Sequence, residues 1–258
     1  MKATQCFLSE SVKFFRPVYD GRFGLTCVNE TGYDPTAPCV FLGIYRTEDL
    51  ARFFNHQGKR IILWFGADAQ KLDVVKTVSL VDKVKHISTS CYIDHVLKSI
   101  GVDPFYTPLP MTIPERWVNP NAPPAALGNK VYCYAPNEVY GRSLAKEVAK
   151  NIDFEMLLTD SCKHYTPEEL KKMYEQCFIG IRLRDFDGIA ASVQEMGLMG
   201  RRSVWNGQTP SAIKWNTLED VVTAINNEAF RIGKSLPAVE VSKQVQSWIC
   251  NDDSWLEV

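Results

Sequence analysis

Three features of the sequence predict an α/β chain with two parallel sheets. Short apolar runs of buried-strand type alternate with helical segments, and they do so in two series. A proline-crowded interval separates the series, where neither a continuous helix nor a central strand can form. The second series contains a strand–turn–helix–strand unit, FIGIRLRDFDGIAASVQEMGLMGRRSVWNG, built around a charged turn. A length of 258 residues suits one large or two small domains, and a net charge of −1 gives no electrostatic case for nucleic-acid binding.

In chain order, residues 1–38 yield no clear element. Gly21, Gly24 and Gly32 punctuate them, and Phe14, Phe15, Tyr19 and Phe23 suit a core or an acceptor surface. The run CVFLGIY from Cys39 reads as a strand, followed by a helix that Thr47 can cap. RIILWF at Arg60–Phe65 is a second strand, with Gly66-Ala67-Asp68 as its turn and a helix over Ala69–Val78. Val84–Ser88 is a third strand and Tyr92–Ile100 its helix. Pro104, Pro108, Pro110, Pro114, Pro120, Pro123 and Pro124 then mark the boundary. The second series starts at Lys130 with VYCY. A loop to Arg142, a helix over Ser143–Ile152 and a strand over Phe154–Leu158 follow. Thr166-Pro167-Glu168-Glu169 carries a cap, a proline at the first helical position and a capping-box glutamate. The motif strand runs over Phe178–Leu183 and the motif helix over Ile189–Met199. Leu218–Arg231 and Val239–Ile249 are the last helices.

The eight cysteines are scattered, with no Cys-x-x-Cys among them, which suits free thiols in a reducing, cytoplasmic setting. The sequon Asn29-Glu30-Thr31 is then a chance match. No apolar run is long enough to span a bilayer, and Met1 opens no secretory leader. His56, His86, His95 and His164 lack metal-site spacing.

The charged turn carries the candidate chemistry. Asp187 and Glu195 bracket the motif helix, and eight helical residues span roughly 12 Å. The free N–H groups of Gly188, Ile189 and Ala190 would suit phosphates. Strand alternation puts Arg182 and Arg184 on one face. Asp185-Phe186-Asp187 is also an Asp-x-Asp, a pattern able to hold a hard divalent cation.

The acid-x7-acid spacing, the glycine after the first acid and the small-residue helix resemble the retaining glycosyltransferases of family four, and the compact forms encoded by large algal DNA viruses in particular. The resemblance implies a GT-B fold of two Rossmann-like domains with the ligand cleft between them. Residues 1–118 would be the acceptor-side domain, 119–129 the linker and 130–238 the donor domain, with the C-terminal helix region 239–258 packing back on the first domain. It implies transfer of a hexose from a nucleotide sugar, GDP-mannose before a UDP-hexose, to a glycan or glycoprotein. No metal or cofactor is expected. Asp187, Arg142 and Arg184 are the expected catalytic residues. Gly188, Ile189, Ala190, Glu195, Ser161, Lys163, Tyr165 and Arg182 are the expected donor contacts, and Asp68 the acceptor-side group. The sequence departs from the family at Ala135-Pro136, where an arginine is usual. That departure keeps a non-catalytic nucleotide-sugar binder or scaffold in play, and Asp185 with Asp187 keeps a metal-dependent transferase in play. A two-domain α/β protein of unrelated function is a third reading. The oligomeric state is left open, with a homodimer compatible. In a viral setting the location would be the host cytoplasm.

Overall fold

The computed structural model describes residues 1–28, 32–119, 121–159, 163, 165–184 and 187–258. The sequon at 29–31, Ser161, His164 and Asp185 lie outside them. The chain divides into two compact units, Met1–Met111 with Cys250–Val258, and Thr112–Ile249. The helix Leu236–Trp248 therefore belongs to the second unit, where Ser242 Oγ donates to the Leu198 carbonyl at 2.5 Å. Only the tail after it joins the first unit, through an antiparallel bridge between Lys2 and Glu257.

The first unit holds a six-stranded sheet in the order β2-β1-β3-β4-β5-β6. Its strands are β1 (Gln5–Leu8), β2 (Thr26–Val28), β3 (Cys39–Leu42), β4 (Arg60–Trp64), β5 (Val84–Ser88) and β6 (Phe105–Tyr106). Every pairing among them is parallel. β3 is buried along its whole length, as the unbroken apolar run predicts. β1 and β2, which carry no long apolar run, take their place by pairing rather than by pattern.

The second unit holds a five-stranded sheet in the order β11-β10-β9-β7-β8, again with every pairing parallel. Its strands are β7 (Lys130–Cys133), β8 (Met156–Leu158), β9 (Cys177–Ile181), β10 (Arg202–Val204) and β11 (Ala212–Ile213). The Thr166 capping box forms as expected: Thr166 Oγ1 accepts from the Glu169 N–H at 3.2 Å, and the Glu169 carboxylate accepts from the Thr166 N–H at 2.8 Å. On β9, a Cβ at Gly180 would lie 2.5 Å from the Met196 sulfur, so glycine lets the following helix seat on the sheet.

That helix runs over Ala191–Leu198, two residues shorter at its start than the sequence suggests. Ala190 precedes it with an extended backbone and no side-chain cap. Asp187 turns toward Arg182 instead of the helix amides, so no cap is available to extend the first turn. The helix therefore opens with Ala190 as its N-cap residue, and Gly188 and Ile189 precede it rather than forming its first turn. Asp187 stands ahead of the helix, and the eight-residue helical span between the acids does not form.

Among the described residues, no helix is long and apolar enough to cross a membrane.

Candidate functional site

In each sheet the chain builds outward from its first strand and then switches sides. In the second sheet β8 lies on one side of β7 and β9 on the other, so the loops after β7 and β9 diverge from a common crevice. Such a switch point is where open parallel sheets bind ligands. The two loops there are residues 134–141 and, among the described residues, 182–184 with 187–190, which belong to the charged turn.

Arg182 leaves β9 with its N–H bonded to the Val204 carbonyl at 3.0 Å. Its Nε pairs with Asp187 Oδ2, both side chains being largely buried. The guanidinium also sits against two tyrosine rings of the other loop, 4.9 Å from the centroid of Tyr134 and 5.0 Å from that of Tyr140. Those rings meet edge to face at 5.1 Å. Arg184 approaches Asp187 at 3.9 Å and the Tyr140 ring at 5.1 Å. Burial works against the charge on Arg182, and the Asp187 carboxylate more than offsets it, leaving the guanidinium above its ordinary pKa. The site is thus a cation pair gathered on one carboxylate and backed by aromatic faces.

Arg142 is differently employed. It opens the helix Arg142–Lys150, and its Nη1 donates to the carbonyls of Ala135 at 2.9 Å, Thr159 at 3.1 Å and Pro136 at 3.3 Å. It therefore staples the loop after β7 to the end of β8. Gly141 before it has φ +73°, and a Cβ there would lie 2.3 Å from the Leu183 carbonyl oxygen. Glycine brings this loop up to the charged turn, which puts Tyr140 within reach of Arg182.

Glu195 points into the unit's core. Tyr174 donates to its Oε2 at 2.8 Å. Thr112 bonds to it as well, and Trp117 Nε1 donates to Thr112 Oγ1 at 2.7 Å. Burial raises the Glu195 carboxyl to about 7, with the Tyr174 and Thr112 hydrogen bonds pulling it back down. Lys163 pairs with Glu169 at 3.0 Å and lies over the Tyr165 ring, forming a separate group at the start of the helix Pro167–Glu175.

Asp68, in the first unit, has no exposed surface. Its Oδ1 accepts from the Phe65 N–H at 3.1 Å and the Gly66 N–H at 2.8 Å. The carboxylate closes its own turn, so in this conformation it cannot touch an acceptor. Burial raises it to about 6 against those backbone donors.

The turn thus brings Arg182, Arg184 and Asp187 together and leaves Glu195, Lys163, Tyr165 and Asp68 in other surroundings. The sequence does not single out Tyr134 and Tyr140, because aromatic residues around a strand end look the same whether they fill a core or line a site. Tyr174 and Thr112 gave no signal as partners of Glu195. Among the described residues no three His, Cys, Asp or Glu side chains cluster as a metal site. The pair Asp185 and Asp187 lies outside that statement.

No protein-family model matches the chain, and no curated protein matches it in sequence. Solved structures do match in fold. Sucrose-phosphate synthase from Thermosynechococcus elongatus aligns with a TM-score of 0.60 at 10% identity, over 82% of this chain and 69% of the synthase. TarM aligns at 0.59 and 10% identity, over 93% of this chain and 55% of its own. The pneumococcal O-GlcNAc transferase GtfA, solved with UDP and GlcNAc, aligns at 0.53 and 9% identity, over 82% of this chain and 54% of its own. The chain spans only about half the length of TarM and GtfA. At such identities the likeness establishes architecture: two parallel sheets with flanking helices, the α/β fold of GT-B glycosyltransferases.

Proposed function

We propose that the chain is a retaining glycosyltransferase that moves a hexose from a nucleoside-diphosphate sugar to a glycan acceptor. The convergence of Arg182 and Arg184 on Asp187, at the switch point of the second sheet, carries this reading. As the glycosyl bond breaks, the sugar becomes oxocarbenium-like and the leaving diphosphate gains negative charge. Planar guanidiniums held in a largely buried site suit that charge. They also answer the missing arginine at Ala135-Pro136. In the free protein Asp187 occupies them. A bound diphosphate competes for the guanidiniums, which frees the Asp187 carboxylate for the sugar hydroxyls. Arg142 supports the site by holding the neighbouring loop.

The resemblance gives the ribose to Glu195, and in this conformation its carboxyl is instead held by Tyr174 and Thr112 inside the unit, so that role would require its helix to shift on binding. The sequence resemblance favours GDP-mannose as donor, whereas the GtfA complex and a mutant TarM complex were solved with UDP. Transfer without a divalent metal is part of the proposal, since the guanidiniums take the role a cation would have.

Calorimetry with UDP, GDP and their hexose conjugates tests the donor class, followed by turnover in excess chelator. Binding of one nucleotide series and release of its diphosphate in chelator are expected. Binding without release would establish the non-catalytic reading. Activity lost to chelator and restored by manganese would move the chemistry to Asp185 and Asp187. No binding of either series would overturn the proposal.

A further inference from the structure

Cys6 on β1 and Cys27 on β2 are register partners in a parallel pairing, so their side chains leave the sheet on one face. Their sulfurs lie 2.9 Å apart. That is about 0.9 Å beyond a disulfide bond, and closer than unbonded sulfurs pack. Neighbouring strands run about 4.8 Å apart, within the Cα separation a disulfide spans. Cys39 on β3 is excluded by register: it pairs with Gln5, one residue from Cys6, and so faces the other side.

We propose that Cys6 and Cys27 are a reversible disulfide pair, oxidised by exchange with a small-molecule disulfide such as glutathione disulfide. The Cys27 thiolate attacks one sulfur of glutathione disulfide and expels a glutathione thiolate. Cys6 loses its proton to solvent and attacks the Cys27 sulfur, expelling the second glutathione. Two protein thiols are oxidised and one disulfide is reduced to two thiols. Cys27 is the first nucleophile because it sits on β2, the edge strand that frays; the hydrogen bond to Cys27, and then burial, hold the Cys6 thiol well above its ordinary pKa. Both sulfurs are buried in the closed sheet, and fraying of β2, a three-residue edge strand, supplies the entry. The bond would enclose residues 7–26. That loop contains Ser9, which donates to Asp49 at 2.6 Å, and Phe15, which stacks on Phe65 at 4.9 Å. Oxidation would tie this whole excursion to β1.

The test equilibrates the full chain in glutathione buffers from reduced to oxidised, quenches with acid, alkylates and maps peptides. A Cys6–Cys27 linked peptide, reversed by dithiothreitol, is expected. The thermal midpoint should rise by about 5–10 °C on oxidation. Cys6→Ser and Cys27→Ser should each abolish the linked peptide and the rise. The more exposed Cys91 and Cys250 serve as internal controls: they should alkylate or carry glutathione and enter no linked peptide. Full alkylation of Cys6 and Cys27 across the redox range would overturn the proposal, as would a stable glutathione adduct at Cys27 or linkage to another cysteine. If a serine variant does not fold, the wild-type peptide map decides alone.

Discussion

The two switch points of this molecule share a topology and differ in chemistry. In the first sheet the switch falls between β1 and β3, and in the second between β7 and β9. The first is tied by neutral donors on a buried carboxylate: Asp49 accepts from Ser9 Oγ at 2.6 Å, from the Arg46 N–H at 2.9 Å and from the Tyr45 N–H at 3.0 Å. One strand over, Asp68 is taken up by its own turn. The second switch point instead sets Asp187 between two guanidiniums and backs one of them with two tyrosine rings. Topology supplies a crevice in both places. The difference teaches that loop residues decide whether it is closed by neutral donors or lined with guanidiniums.

The sharpest way to break the comparison is to remove the charge. Arg182→Ala should cut donor turnover by about 10²–10³-fold, the usual cost of a lost transition-state donor. Steady-state kinetics on a verified donor checks it, and turnover near wild type would remove Arg182 from the chemistry.

Next in size is the proton on Glu195. Its folded pKa, about 7, lies above the ordinary carboxylate value, so the stabilisation belongs to the protonated form. It is complete below about pH 4.5 and lost as pH rises through about 7. The loss amounts to about 3 kcal/mol between those limits. Asp68, raised to about 6, adds a loss of the same sign at lower pH. Denaturant melts from pH 5 to 8 should show falling stability, with a clearly flatter profile in Glu195→Gln. An unchanged profile in that variant would assign the dependence elsewhere.

The closed switch point gives a prediction about stability alone. Ser9→Ala removes one donor from the buried Asp49 carboxylate and should cost about 1.5–3 kcal/mol. Nucleotide affinity should stay within twofold by calorimetry. A loss of affinity exceeding the loss of stability would show that this crevice also serves the donor.

The smallest effect separates ring from hydroxyl at the charged switch point. Tyr140→Ala should weaken nucleotide binding by about 1 kcal/mol through the lost cation–π support of Arg182 and Arg184. Tyr140→Phe should bind as wild type. Equal losses in both variants would point to the hydroxyl.

The sequence by itself determined whatever depends on near neighbours in the chain. Unbroken apolar runs marked β3, β4, β7 and β9, because a strand covered on both faces needs no alternation. The cap at Thr166 was legible because its two hydrogen bonds close within one turn. Arg182, Arg184 and Asp187 could be grouped for the same reason, lying in one short turn. The tertiary structure alone decided the rest. β9 inserts beside β7 across more than one intervening element, and only that insertion brings Tyr134 and Tyr140 to Arg182. Glu195 reads as one end of a motif in the sequence. Packing of its helix against Tyr174 and Thr112 turns it into a buried acid with a displaced pKa. Cys6 and Cys27 look scattered until the parallel register of β1 and β2 sets them face to face. Periodicity and capping record contacts a few residues apart, whereas strand order and register are fixed by burial summed over the whole unit.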